Sequence, residues 1–430
     1  MTSTTPHVGV RTFLNRVEAQ PLLIADITTI GGVFEPDATV DRVYFPPDTP
    51  VAFYTDDLVA LTKVGSAGTL KQTVDAIIAA GIVATVVAVV PAAFAAGADI
   101  SAKMAVMVGS AAGGTGVYAL LRAEAETGIV PDILIAPGYT SQRLGSAANP
   151  AATALDAVCE RLVTAIAVCD TPSTTKEAAV EWSADFEDTL NIVATAQGAR
   201  VLGAGGSIIV QPSSPHVAAL IAKTDKEEGA PYYNPGNRQL TGILGPSRSV
   251  GFSLSDPDCE ANYLIQRGVN SIVHLSANRT SRIANGPQGK LFWGFFNTST
   301  DPLWRAINVV RTRKAVREVI PRTLARYAGQ NLGAHIGVLM LQSLDGFLST
   351  LKGLPKPAIL GGQVRWDRAL NDNATLRTGG FAVSLDFEEA PPITDIQVYT
   401  GRHSASFNIL ATEIQTAMAQ ASVGGQLGAA

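Results

Sequence analysis

The sequence predicts a mixed α/β (α+β) fold of more than one domain, on three observations. Strand-length apolar runs alternate with helix-length periodic stretches from Leu22 to Lys226, the rhythm of a mainly parallel or mixed sheet with helices packed on it. Gly or Pro punctuates most of the junctions. The 430 residues are 47% hydrophobic and only 16% charged, enough to build a core in each of two or three domains and too apolar for a disordered chain.

In chain order, Val8, Val10 and Phe13 alternate imperfectly with polar residues between Pro6 and Pro21, an extended segment that must join another sheet to bury anything. Leu22–Val33 reads as a strand ending in Gly31-Gly32, and Val51–Tyr54 as another strand before a helix over 56–64. A turn at Gly65–Thr69 leads into a helix over Thr69–Ala80, with Thr69 as its N-cap. The stretch between Asp75 and Asp99 carries no charge and is long enough to cross a bilayer. Gly81 and Pro91 interrupt it, however, and no basic flank or aromatic belt marks an interface. It reads as a helix followed by a strand, Val83–Val90, whose β-branched run suits burial on both faces.

Further on, Tyr118–Glu126 is helical and stops at Gly128. Asp132–Pro137 is a buried strand, Asn149–Val163 a helix, Ala165–Asp170 a strand, and Lys176–Phe186 a helix. Ile208–Gln211 and Pro215–Lys226 give another strand and helix, and 230–248 is a long ordered loop rich in Pro, Gly and Asn. From Gly289 the character changes. Leu291–Phe296 is an aromatic strand. Leu303, Ile307, Val310 and Val319 form a helical apolar stripe, with Arg311, Arg313, Lys314 and Arg317 elsewhere on that helix's surface. Leu324–Leu332 and Ile336–Leu351 read as helices, Gly380–Phe387 and Ile393–Arg402 as strands, and a last amphipathic helix starts near Ser404.

Composition excludes several function classes. A net charge of −5 makes no general case for nucleic acid. Cys159, Cys169 and Cys259 are odd in number and lack CxxC spacing, so they read as buried thiols in a reducing compartment. The first twenty residues contain no apolar signal core, so no signal peptide is expected. Gly109–Gly116 (GSAAGGTG) lacks the Lys-Ser/Thr of a phosphate loop and reads as a turn. Asp256, Asp258 and Glu260 lack the Gly of a calcium loop and read as helix capping. The five histidines show no ligand spacing, and no nucleophile motif is present. No catalytic, cofactor or metal residues are therefore assigned.

Several phrases, taken in order, resemble the contractile tail sheath proteins of temperate myoviruses and R-type bacteriocins. They are the opening His7-Val-Gly-Val-Arg11, Tyr44-Phe-Pro-Pro-Asp-Thr-Pro-Val51, the turn Gly65-Ser-Ala-Gly-Thr-Leu70, and Leu121 to Leu134 closed by Ala136-Pro-Gly138. Asn234-Pro-Gly-Asn237 with Leu240-Thr-Gly-Ile243, Leu264–Val273, Phe292-Trp-Gly294 and Asp301-Pro-Leu303 complete the series. The resemblance spans 8 to 414 and rests on order and spacing, since no single phrase is specific.

It implies a tail-sheath fold: an inner assembly domain built from both chain ends and an inserted outer α/β domain. The expected division is 1–24 as an N-terminal arm, 25–289 as the outer part, and 290–430 as the inner domain with a C-terminal arm. It further implies stacked sixfold rings of this chain around an inner tail tube, with baseplate and tail terminator proteins as partners and no nucleic acid or membrane insertion. Assembly would take place in the bacterial host cytoplasm, and the product would be a virion tail or tail-like particle.

Strand exchange between subunits would use Val8, Val10 and Phe13 on one arm and Ile396, Val398 and Tyr399 on the other. The alternative for the second arm is that Ile393–Arg402 pairs with Gly380–Phe387 inside its own subunit. Residues 290–430 hold 14 Lys+Arg against 10 Asp+Glu, a net of +4, and the remainder is −9. A basic inner part would suit an acidic tube, so Arg311, Arg313, Lys314 and Arg317 are candidate tube or subunit contacts, and a solvated helix face is the bland alternative. The sheath of a tail-like bacteriocin or secretion machine, and a cytosolic α/β nucleotide-binding enzyme, remain the other readings of the sequence.

Overall fold

A computed structural model describes residues 28–275 and 289–426. The chain packs as two units, Met1–Pro392 and Ile393–Ala430. In the first, strands β1 (Ile30–Val33), β2 (Val51–Tyr54), β3 (Thr85–Val89), β4 (Ile133–Ile135), β5 (Ile166–Asp170), β6 (Ile192–Thr195), β9 (Arg238–Gln239), β11 (Val269–Leu275) and β12 (Gly289–Trp293) form one nine-stranded sheet. Its order is β2-β3-β1-β4-β5-β6-β11-β12-β9. The run from β3 to β11 is parallel, and β2, β12 and β9 pair antiparallel at the ends.

Burial follows from the two-residue period of the strands. Val86 and Ala88 face one core with Ile30, Ile133 and Val168, and Val87 and Val89 face a second with Leu134, Ala167 and Cys169. The first core is covered by α2 (Gly68–Ala80) and α7 (Ser214–Glu228), and the second by α3 (Ile100–Val108), α5 (Pro150–Leu162) and α6 (Lys176–Ala184). The short helices α1 (Leu58–Lys63), α4 (Ala123–Thr127) and α8 (Glu260–Ile265) fill the connections. All three cysteines are buried free thiols, and burial pushes the Cys159 thiol up to about 12.

Several boundaries differ from the sequence reading for local reasons. Gly31-Gly32 does not end β1 but sits inside it. A Cβ on Gly31 would lie 2.4 Å from the Pro131 side chain, and one on Gly32 would lie 2.4 Å from the Phe34 ring, so the pair permits close packing. Thr69 does not cap α2. The cap is Ala67, and the buried Thr69 hydroxyl accepts from the Glu35 N–H at 2.8 Å. Helix α8 is capped at Cys259 with no side-chain bond, while Asp256 accepts from the Asp258 N–H at 3.0 Å and Glu260 from Arg248 at 2.5 Å. The loop over 230–248 contributes β9 and also β10 (Gly245–Pro246), which joins β7 (Ala199–Leu202) and β8 (Ile208–Gln211) in a three-stranded sheet.

Beyond β12 come α9 (Ile307–Leu324), α10 (Ala334–Lys352), β13 (Ile359–Arg365), α11 (Asn373–Arg377) and β14 (Ser384–Glu389). The helix expected over 324–332 is only a 3₁₀ turn at Ala325–Tyr327. Leu303 lies outside α9 and is 75% exposed. Strands β13 and β14 pair antiparallel as a separate two-stranded sheet that packs on α10 through Leu344, Phe347, Leu348, Leu385 and Phe387. Because β12 pairs with β11 throughout, the expected boundary at 289/290 meets continuous sheet, and the first packed unit runs on to Pro392. The second unit holds a stretch outside helix and strand from Ile393 and the helix α12 (Ala405–Gln426).

Candidate assembly surfaces

The basic helix α9 was expected to carry its cations on its surface. Two of them lie inside instead. Arg311 and Asp225 of α7 have side chains only 2% and 1% exposed, and they join fork to fork at 2.6 and 2.5 Å. Lys314 is buried as well. Its Nζ donates to the Ala165 carbonyl at 2.5 Å and to the Asn191 side-chain oxygen. Burial holds its ammonium below the usual lysine range. Asn191 passes the network on, donating to Asp156 at 2.7 Å and Glu160 at 2.6 Å.

Ala165 and Asn191 immediately precede β5 and β6, so α9 closes the N-terminal edge of the parallel strands. A helix in that place needs donors for the strand-end carbonyls, and long cationic side chains supply them. Asp132, just before β4, belongs to the same edge. Burial raises its carboxyl to about 8, and the charge of Glu318 adds to the rise.

Arg313 points the other way. It donates to the Phe387 carbonyl and to Glu389, both at 3.0 Å, and stacks 3.9 Å over the Phe387 ring, tying α9 to β14. Asn308 adds a bond to the Ala390 carbonyl at 2.9 Å. Of the four cations, Arg317 alone is exposed. The sequence missed this division because buried and solvated helix cations share one spacing; their acceptors, Asp225, Asn191 and Glu389, are remote in the chain.

The opposite edge of the sheet is where doubly wound folds usually bind ligands. Here the buried Asp170, at the end of β5, accepts from the Ser213 and Ser214 N–H groups at 2.8 and 2.9 Å and from both hydroxyls. Both of its oxygens are engaged by the start of α7. Among the described residues no group of three or more His, Cys, Asp or Glu is placed to hold a metal, and no described helix is long and apolar enough to cross a membrane.

The second unit inverts the burial pattern. Ile396, Val398 and Tyr399 are 76%, 75% and 91% exposed. Gln397 donates to Asp395 at 2.9 Å, and the Tyr399 hydroxyl donates to Gln397 at 2.9 Å, so residues 395, 397 and 399 line one side of extended backbone. Ile396 and Val398 alternate with them, as in a strand. Yet 393–402 belongs to no strand, so the alternative intrasubunit pairing with Gly380–Phe387 is not formed among the described residues. Within the two-stranded sheet, Leu360, Gly362, Gln363 and Arg365 of β13 are exposed. Val8, Val10 and Phe13 lie outside the described residues.

Comparison with known proteins bears on the family and the fold. Residues 112–285 match the family model described as the phage tail sheath protein central domain. A prophage major tail sheath protein of Pseudomonas aeruginosa (strain UCBPP-PA14) is 30% identical over 297 residues, 67% of this chain and 69% of that protein. The tail sheath protein of Escherichia phage P2 is 27% identical over 416 residues, 91% and 94% of the two chains. The sheath of an extracellular contractile injection system, PVC, in its contracted state has the same fold, with a TM-score of 0.66 at 16% identity over 94% of this chain and all of that one. The chain belongs to the phage tail sheath protein family and is a structural subunit of a contractile tail sheath.

Proposed function

We propose that copies of this chain stack as sixfold rings around an inner tail tube and contract to drive that tube through a target envelope. Baseplate and terminator proteins close the two ends, and the particle assembles in the host cytoplasm. The observation that carries the reading is an extended, exposed apolar arm in the same chain as a two-stranded sheet with open edges. An extended segment gains nothing from burial until it finds a sheet edge, and an edge strand presents unpaired N–H and C=O groups that a second copy can satisfy.

The arm of Ile396, Val398 and Tyr399 then joins the edge of β13 in a neighbouring copy. That edge is the more open one, because the Phe387 carbonyl on β14 already accepts from Arg313. Such head-to-tail contacts are heterologous and build open helical polymers. Val8, Val10 and Phe13 form the second arm of the proposal. Functionally, 25–289 is the outer part and 290–430 the inner part, a division by place in the particle. The exposed Arg317 is the tube or subunit contact on α9, while Arg311, Lys314 and Arg313 hold the helix where it can reach one.

Contraction is a rigid-body exchange between two sets of interfaces, with the arms keeping the lattice connected. Negative-stain electron microscopy of the purified full-length chain tests this. Long striated hollow tubes are expected. A monomer that stays monodisperse after the partner tube is added would overturn the reading.

A further inference from the structure

Two apolar surfaces are exposed among the described residues. One is a groove of about 470 Å³ between α10, the end of β13 and α11, lined chiefly by Gly337, Val338, Leu341, Trp366, Leu376 and Phe381. Val338 and Trp366 are 51% and 41% exposed. Gly337 keeps the floor open, since a Cβ there would lie 3.0 Å from the Phe381 ring. The other surface is α12. Phe407, Leu410, Ile414 and Met418 follow one another at steps of three and four residues and are 71%, 46%, 50% and 68% exposed. That spacing is the code of a helix that lies in an apolar groove.

We infer that α12 of one copy docks in the α10–β13–α11 groove of a second copy. The inference rests on the arm reading above and adds a direction to it. Ten extended residues, 393–402, span about 33 Å, against about 23 Å for the seven of β13. An arm that runs along β13 in the same sense passes Arg365 and reaches Trp366, the first groove residue on that side. Helix α12 begins three residues later, at Ala405.

Charge agrees. Glu413 is the only ionisable side chain in α12, and Arg368 and Arg377 stand two and one residues after the groove-lining Trp366 and Leu376. The neighbouring Asp367 and Asp372 are engaged by backbone N–H groups of Ala369 and Thr375, at 2.8 and 2.7 Å. A helix with one carboxylate and an apolar stripe therefore meets a groove with an apolar lining and an arginine next to it in the chain on two sides.

Crosslinking between two differently tagged full-length preparations tests this, because the native cysteines are all buried. One preparation carries Leu410→Cys and the other Val338→Cys; a parallel pair carries Val398→Cys and Gln363→Cys. A crosslink between the tags in the first pair is expected, and Phe407→Ser should raise the protein concentration needed for it by about tenfold. A crosslink in the second pair alone would overturn helix docking and leave the arm standing. Crosslinks in neither pair would overturn both. A crosslink in the first pair alone would keep the helix in its groove and remove the arm from β13.

Discussion

Helix α9 and the segment 393–418 invert each other. In α9 the cations Arg311 and Lys314 are inside, while beyond Ile393 the large apolar side chains are outside. The difference separates residues that hold the subunit together from residues that the proposed assembly assigns to contacts with another subunit. A buried charge is tolerable only with partners within reach, and each buried cation of α9 has them at strand or helix ends of the same chain. An exposed apolar stripe on extended or helical backbone has no such internal account, and the assembly proposed above gives it a partner in another copy.

The sharpest way to break this comparison is to remove one member of the buried pair. Asp225→Ala removes the carboxylate that grips the buried Arg311 guanidinium fork to fork and should destabilise the subunit by about 3–5 kcal/mol, read as a lower midpoint in urea. A loss below 1 kcal/mol would place the pair in solvent. Lys314→Met keeps the apolar stem but takes the donor from the Ala165 carbonyl and the Asn191 side-chain oxygen, so about 1–3 kcal/mol should be lost in the same measurement.

Asp132 sharpens the account through pH. Its folded carboxyl titrates at about 8 against an ordinary 3.8, so the folded state holds a proton that the unfolded chain releases between those values. Its contribution to stability is therefore full below about pH 4, declines as pH rises, and levels off above about 8. Asp132→Asn should raise the melting temperature at pH 8 and leave it nearly unchanged at pH 4. An equal shift at both values would show that the carboxyl is ionised in the fold. The smallest effect on stability belongs to the exposed side: Ile396→Ser with Val398→Ser should change it by less than about 0.5 kcal/mol, because neither side chain is packed in the subunit.

Much of the large sheet was legible in the sequence. Continuous β-branched and apolar runs such as Val83–Val90 admit few other structures when Gly and Pro bound them, and Asn149 before Pro150 marked a helix start that the structure repeats. Strand β13 was not legible. Its Gly361-Gly362 looks like a turn, yet Gly362 is required in the strand because a Cβ there would lie 2.8 Å from Phe387 and 2.9 Å from Leu348. The helix Ile100–Val108 went unread for another reason: its only strong local marker is Asp99, whose carboxylate accepts from the Ala102 N–H at 2.8 Å. Ile396 and Val398 could be picked out by alternation, but that they and Tyr399 stay exposed is a fact of topology. So is the burial of Arg311, whose acceptor Asp225 is 86 residues away.

The most direct test sets stability and assembly side by side in the Ile396→Ser, Val398→Ser variant. Its melting temperature and its tubes under the electron microscope should be compared with those of the unaltered chain. The account predicts an unchanged melt and no tubes. Tubes of ordinary length from that variant would contradict it, because the exposed arm would then have no part in joining one copy to the next.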